Sequence, residues 1–355
     1  MSMSFDDIET PAVLIDEERA RANIARFQAY ADEHGLKLRP HIKTHKLPLF
    51  AHAQIEAGAV GIDCQKLSEA EVMADAGLSD ILITYNILGQ AKLDRLLALA
   101  RRVEKLAVTA DSEQVVAGLS DAFANADRPL DVLVECDTGG GRQGRQTPAD
   151  AAGLGERIAF APGLRFSGLM TYPAPGGGPK VQAFMTETID LLAGRGIDCP
   201  IVSSGGTPDM WRAHEVPVVT EYRAGTYIYF DRSMVARGAA SYEDCALTVL
   251  TTIVSTPTPD RAIIDAGSKV LTSDLLGLEG YGHVVGRDDL DIVGLNEEHG
   301  IVRAAKGSVT GLSVGDRIRI VPNHCCVVSN MVDAVVLFDD TGWREERVAA
   351  RGCVR

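Results

Sequence analysis

From about residue 12 to residue 230, short apolar, β-branched runs alternate with longer stretches in which apolar positions recur every three to four residues. The first pattern is that of a buried strand and the second that of an amphipathic helix, so the alternation predicts βα units around a parallel sheet. AVLID (12–16) runs into EERARANIARFQAYADEHG, LKLRPHI (36–42) into KLPLFAHAQIEAG, and AVGIDC (59–64) into SEAEVMADAG. The series continues with DILITY (80–85), KLAVTA (105–110), PLDVLVEC (129–136), LRFSGLM (164–170), PIVSS (200–204) and PVVTEY (217–222). Candidate strands at this spacing predict a closed (β/α)8 barrel of TIM type, not an open doubly wound sheet. Gly35, Gly58 and Gly77 close helical stretches just before the next strand, where a left-handed cap is expected.

After about residue 235 the texture changes. ALTVLTTIV (246–254), AIIDAG (262–267), DRIRIVPN (316–323) and AVVLF (334–338) follow one another through Gly-, Asp- and Pro-bearing turns with no long helix between them. A second, all-β domain is expected here. A chain of 355 residues is also longer than one core normally grows to. The expected division is a barrel over 10–235 and a β domain over 236–355, with residues 1–9 packing on the latter.

Charge narrows the partners. The net charge of −14 argues against nucleic acid and anionic membranes, both of which attract a positive field. No apolar run reaches the roughly 20 residues that span a bilayer, and MSMSFDDIET has no leader-like pattern. Seven cysteines, an odd number with no CxxC pair, suit a reducing compartment. The cytoplasm is the expected location.

Against this acidic background, LRPHIKTHK (38–46) concentrates Arg39, His41, Lys43, His45 and Lys46. In a parallel barrel the functional face lies where strands run out. Lys43 falls there, at the end of the second candidate strand. A lysine held among other cations can serve as a Schiff-base nucleophile; a solvated basic turn is the competing account. VECDTGGGRQGR (134–145) follows a strand with three glycines that permit close backbone approach to a ligand beside Arg142. SSGGTPD (203–209) offers backbone N–H groups, a hydroxyl and a helix start, as a phosphate requires. A plain turn capped by Thr207 is its rival. EYRAGTYIYFD (221–231) supplies a second Gly-Thr nest beside Arg223 and Tyr227.

In the β domain, PNHCC (322–326) places His324 and Cys326 two apart. On a strand they would share one face and could grip a divalent ion, while Asn323 and Cys325 point away. Two protein ligands leave the remaining positions to water or substrate. A buried thiol beside a hydrogen-bonded His is the competing account.

Taken in order, LRPHIKTHK, SSGGTPD, EYRAGTY, DAGSK, EEHG and PNHCC resemble the D-threonine aldolase and eukaryotic-type D-serine dehydratase family of pyridoxal-phosphate (PLP) enzymes. These share the alanine-racemase-like fold, fold type III, and the resemblance runs from TPAVLID (10–16) to PNHCC (322–326). It implies that Lys43 holds PLP covalently and that Arg142 lies beside the cofactor ring. It implies phosphate contacts at Ser204, Gly205, Gly206 and Thr207, extended by Gly225, Thr226 and Tyr227. Arg223 resembles the arginine facing the pyridine nitrogen, although Ala224 stands where a proline is usual. Tyr172 matches a tyrosine on the substrate side, and His324 with Cys326 matches the family's metal pair.

The resemblance further implies a PLP- and metal-dependent carbon–carbon lyase that cleaves D-3-hydroxy amino acids to glycine and an aldehyde. The alternative is a D-serine or D-3-hydroxyaspartate dehydratase on the same scaffold, and a third reading is a non-catalytic PLP-binding protein. Mn, Zn, Mg and Co all stay open as the cation, with a thiolate ligand favouring zinc over magnesium. The candidate bases are a metal-bound water, His45 and His299. A homodimer is the implied assembly.

Overall fold

The computed structural model describes residues 5–305 and 308–355, which form two compact units. One comprises residues 26–43, 48–225 and 353–355; the other comprises the described residues up to 25 together with 44–47 and 226–352. The strands, in chain order, are β1 (Ala12–Asp16), β2 (Lys37–Leu38), β3 (Ile62–Cys64), β4 (Asp80–Ile83), β5 (Lys105–Ala110) and β6 (Leu130–Cys136). They continue with β7 (Leu164–Thr171), β8 (Ile201–Gly205), β9 (Glu221–Arg223), β10 (Leu247–Thr258), β11 (Arg261–Ile264) and β12 (His283–Val284). The last five are β13 (Leu290–Leu295), β14 (Gly300–Ala304), β15 (Arg317–Val321), β16 (Ala334–Asp339) and β17 (Gly342–Arg347).

The first unit is the expected barrel. Eight parallel strands run in the order β2-β9-β8-β7-β6-β5-β4-β3. The two ends of this sheet meet: Val60 N–H donates to Leu38 O (2.9 Å), Asp63 N–H to Pro40 O (2.8 Å), and His41 bridges Asp63 in parallel. Pro40 has no N–H, so the regular ladder of β2 is short, but Arg39 N–H to Tyr222 O and His41 N–H to Ala224 O extend it. Inside, Leu82, Leu133 and Met170 form one apolar layer, as alternate strand positions should. Thr147 caps the helix Pro148–Ala159 through Asp150 N–H (3.1 Å), with Pro148 in the first turn where its missing donor is not needed.

One expected barrel strand lies elsewhere. β1, the AVLID run, pairs antiparallel with β10 and parallel with β16 in the other unit. Its inward residues Val13, Leu14 and Ile15 are buried there, and Leu14 joins Ile8, Leu250 and Val336 in an apolar cluster flanked by Phe5 and Phe338. The residues from Phe5 to Glu9 thus contribute to the β-rich unit; Met1 to Ser4 lie outside the described residues. That unit's nine-stranded sheet runs β11-β14-β13-β12-β15-β10-β1-β16-β17, and an added β10–β11 pairing closes six of its strands into a small barrel.

Candidate functional site

In the barrel unit, the basic run is buried rather than solvated. Arg39 donates to Glu221 (2.8 Å) and Asp80 (2.7 Å), and these carboxylates raise its already high pKa against burial. His41 donates from Nε2 to Gln65 Oε1 (3.2 Å) and accepts Lys43 N–H at Nδ1 (3.4 Å). Burial, reinforced by the Lys43 charge, pushes His41 well below its ordinary value and keeps the ring neutral. Lys43 is half-buried, on a 3-10 turn (Ile42–Thr44) rather than on the strand, so it does not share a strand face with His41.

The Lys43 ammonium lies 5.9 Å from the centre of the Tyr172 ring, just past the end of β7. The Arg142 guanidinium lies 5.1 Å from the same ring. Arg142 is carried by the glycine loop after β6 and approaches Glu135 (3.8 Å), which also accepts from Gln143 (2.8 Å) and Thr109 (3.1 Å). Gly144 is required in this loop: its φ is +117°, and a Cβ would meet Cys136 and Asp137 backbone atoms 2.6 Å away.

Arg223 is buried beneath these groups and spends three donors internally. Nε donates to Ser203 Oγ (2.9 Å), Nη2 to Thr171 O (2.7 Å) and Nη1 to Asp63 Oδ2 (3.3 Å). Asp63 is fully buried and also accepts from Thr84 (2.9 Å). Burial raises its carboxyl to about 7 despite the lowering pull of Arg223 and Thr84. Ser203 in turn donates to Glu221 (2.7 Å), linking this cluster to Arg39. The sequence reading missed Asp63, Ser203 and Glu135; their only signal was a polar residue inside an otherwise apolar strand.

The SSGG segment ends β8 against β9. A Cβ on Gly205 would collide with the Arg223 carbonyl oxygen, so only glycine permits this approach. Gly206 donates its N–H to Arg223 O (2.8 Å), and Tyr222 donates its hydroxyl to Gly206 O (2.8 Å). Thr207 then opens a 3-10 helix (Thr207–Glu215), while Ser204, buried like Thr207, lines a cavity of about 410 Å³ with Pro173, Val181 and Val216. Gly225 precedes a second short 3-10 turn, Thr226–Ile228, which includes the fully buried Tyr227.

In the β-rich unit, the expected strand at PNHCC is a helix start. β15 stops at Val321, and His324 caps the helix Cys325–Met331. The reason is tertiary: buried Asp231 accepts Cys325 N–H (3.0 Å), and Pro322 O accepts Arg232 N–H (3.0 Å), which turns the backbone away from the sheet. His324 and Cys326 still meet, through a side-chain hydrogen bond. Cys325 is fully buried. The Thr44 hydroxyl lies 3.1 Å and the Thr226 hydroxyl 3.6 Å from Cys326 Sγ. His45 is fully buried, and its Nδ1 accepts Leu47 N–H (3.1 Å), so the neutral ring carries its proton on Nε2.

The donor set fits a soft-tolerant divalent cation. Hydrogen bonds from Cys325 and His324 hold the Cys326 thiol well below its ordinary value against burial, the state a metal takes up. Burial pulls His324 down, but Cys326 and Asp274 raise it to about 9. With Nδ1 committed to Asp274 (2.7 Å), Nε2 is left toward Cys326. A cation there would be held by the His324 imidazole and the Cys326 thiolate in place of the shared proton. No group of three His, Cys, Asp or Glu gathers as a metal site among the described residues. No helix among them is long and apolar enough to cross a membrane.

Residues 15–233 match the family model described as "Alanine racemase, N-terminal domain", and residues 246–338 match "Putative serine dehydratase domain". The chain is 35% identical to a D-threonine aldolase from Arthrobacter sp., over 98% of this chain and 94% of that one. It is also 35% identical to a D-threo-3-hydroxyaspartate dehydratase from Delftia sp. (strain HT23), over 90% and 91%. The solved D-threonine aldolase from Filomicrobium marinum superposes with a TM-score of 0.91 at 32% identity, covering 99% of this chain and 98% of its own.

Proposed function

This chain belongs to the alanine-racemase-like family of PLP-dependent lyases that includes D-threonine aldolases and D-hydroxy amino acid dehydratases, and from that premise we propose that it cleaves D-3-hydroxy amino acids to glycine and an aldehyde. The observation that carries the reading is the pair of cations, Lys43 and Arg142, over one tyrosine ring at the barrel mouth. PLP, when bound, supplies an electron sink for the bond broken at Cα. A divalent cation held by His324 and Cys326 supplies a Lewis acid for the substrate's 3-oxygen.

The protein's part is placement. Lys43 offers the amine that holds the cofactor, and its position on a tight turn limits where that amine can reach. Ser204 and Thr207 are the proposed phosphate contacts of the barrel unit; the Gly206 N–H, already donated to Arg223, is left out of that set. The Arg142 guanidinium stays within 5.1 Å of the Tyr172 ring centre, where its planar fork can also meet an anionic oxygen. For cleavage, the 3-hydroxyl proton must leave as the Cα–Cβ bond breaks.

Dehydration is the second reading: the Lys43 amine would take the Cα proton and the 3-hydroxyl would leave as water, with His45 kept as a candidate proton donor. The proposed assembly is a homodimer, to be checked by light scattering. Incubation with PLP, a divalent cation and D-threonine, followed by product identification, tests the reaction. Glycine with acetaldehyde supports cleavage, 2-oxobutanoate with ammonia supports dehydration, and neither pair overturns both.

A further inference from the structure

We propose that Asp274 is a positioning residue for the cation: it fixes the His324 imidazole with a proton on Nδ1, so that Nε2 is the nitrogen presented to the metal. This inference rests on the reading of His324 and Cys326 as the metal pair. The carboxylate oxygen of Asp274 lies 2.7 Å from His324 Nδ1. An ionised carboxylate only accepts, so the proton of that bond belongs to the imidazole. A ligating imidazole must present one bare nitrogen, and the hydrogen bond made by the other selects which one it is.

Asp274 comes from a different part of the chain, after the short helix Ser268–Leu271. Its own N–H donates to Thr272 Oγ1 (3.2 Å), and Thr272 and Leu276 on either side hold φ values of +63° and +50°. The carboxylate thus reaches His324 from a loop 50 residues earlier in the chain. Its side chain is 44% exposed, so as a mere ion pair it would contribute little to stability. What the contact does control is ring orientation. His324 caps its helix with backbone φ −141° and makes no side-chain cap hydrogen bond, so the cap itself does not hold the ring.

The test uses full-length, PLP-loaded protein titrated with zinc alone against a chelating dye. Asp274→Ala is expected to weaken zinc binding by roughly 10- to 100-fold, as loss of an outer partner does. Asp274→Asn, whose amide oxygen still accepts from Nδ1–H, is expected to stay within about threefold of the parent. His324→Ala should lose the site. If His324→Ala binds zinc like the parent, the metal reading itself falls. If His324→Ala fails but Asp274→Ala binds normally, the metal pair stands and the role of Asp274 is wrong. Equal weakening in Asp274→Ala and Asp274→Asn would assign the effect to charge and also overturn it. Long-range nitrogen–proton spectra of the histidine-labelled, zinc-loaded parent give an answer that needs no variant: a proton on Nδ1 supports the proposal, and a proton on Nε2 overturns it.

Discussion

The hydroxyl of Thr44 lies 3.1 Å from the sulfur of Cys326, 282 residues further along the chain. Thr44 follows Lys43 directly, so two adjacent residues carry the proposed cofactor lysine and a hydrogen-bond partner of the proposed metal thiolate. Thr44→Val keeps the shape and removes the hydroxyl. A hydrogen bond to a charged group contributes about 1.5–3 kcal/mol, so zinc affinity should fall at least about tenfold. The aldehyde-cofactor absorbance should not change. An unaltered zinc titration would show that this contact does not support the sulfur.

The Lys43 amine lies at the Tyr172 ring, and Lys43→Ala should abolish the absorbance near roughly 420 nm that a PLP–lysine adduct gives. Activity should drop with it. His324→Ala should lose turnover yet keep that band, which separates the two halves of the chemistry. A full-strength band in Lys43→Ala would move the cofactor to another lysine.

Gly205→Ala places a methyl group against the Arg223 carbonyl, in backbone that has no room to yield. Overpacking of this kind costs about 1–3 kcal/mol or more. Urea unfolding should show the loss, and PLP affinity should fall with it because β8 and β9 would separate next to the phosphate turn. Gly35→Ala, where a Cβ meets nothing within 4 Å but φ is +65°, should cost only the smaller conformational strain.

Asp63 gives a pH dependence of stability with a definite sign. Its folded pKa, about 7, is above the ordinary 3.8, so between these values the folded chain binds a proton that the unfolded chain does not. The contribution is fully present below pH 3.8 and is lost as pH rises through 7. Asp63→Asn removes that titration. In cofactor-free protein, the parent should therefore lose stability relative to Asp63→Asn as pH rises from about 4.5 to 7.5, by on the order of 3 kcal/mol. A difference that is flat, or that grows the other way, would mean that Arg223 and Thr84 outweigh burial and keep the carboxylate ionised.

Local pattern was enough for much of the architecture. The alternation from LKLRPHI to PVVTEY marks eight strands that do form the barrel, because burial on both faces requires unbroken apolar runs and each crossover requires a helix. The ordered motifs also bring Lys43, Arg142 and Tyr172 to one place. AVLID, however, is as good a strand in one sheet as in another, and its partners Leu250 and Val336 are hundreds of residues away. PNHCC reads as a strand until the Asp231 carboxylate takes the Cys325 N–H.

The basic run shows the same division most sharply. Sequence alone placed five basic groups together and pointed to Lys43. Only the folded chain supplied Glu221 and Asp80 for Arg39 and Gln65 for His41, each from a separate strand or turn. A residue's own pattern records whether it is buried, because burial repeats with the period of the element that carries it. It does not record which distant group satisfies its hydrogen bonds, because that depends on strands brought together only by closing the barrel.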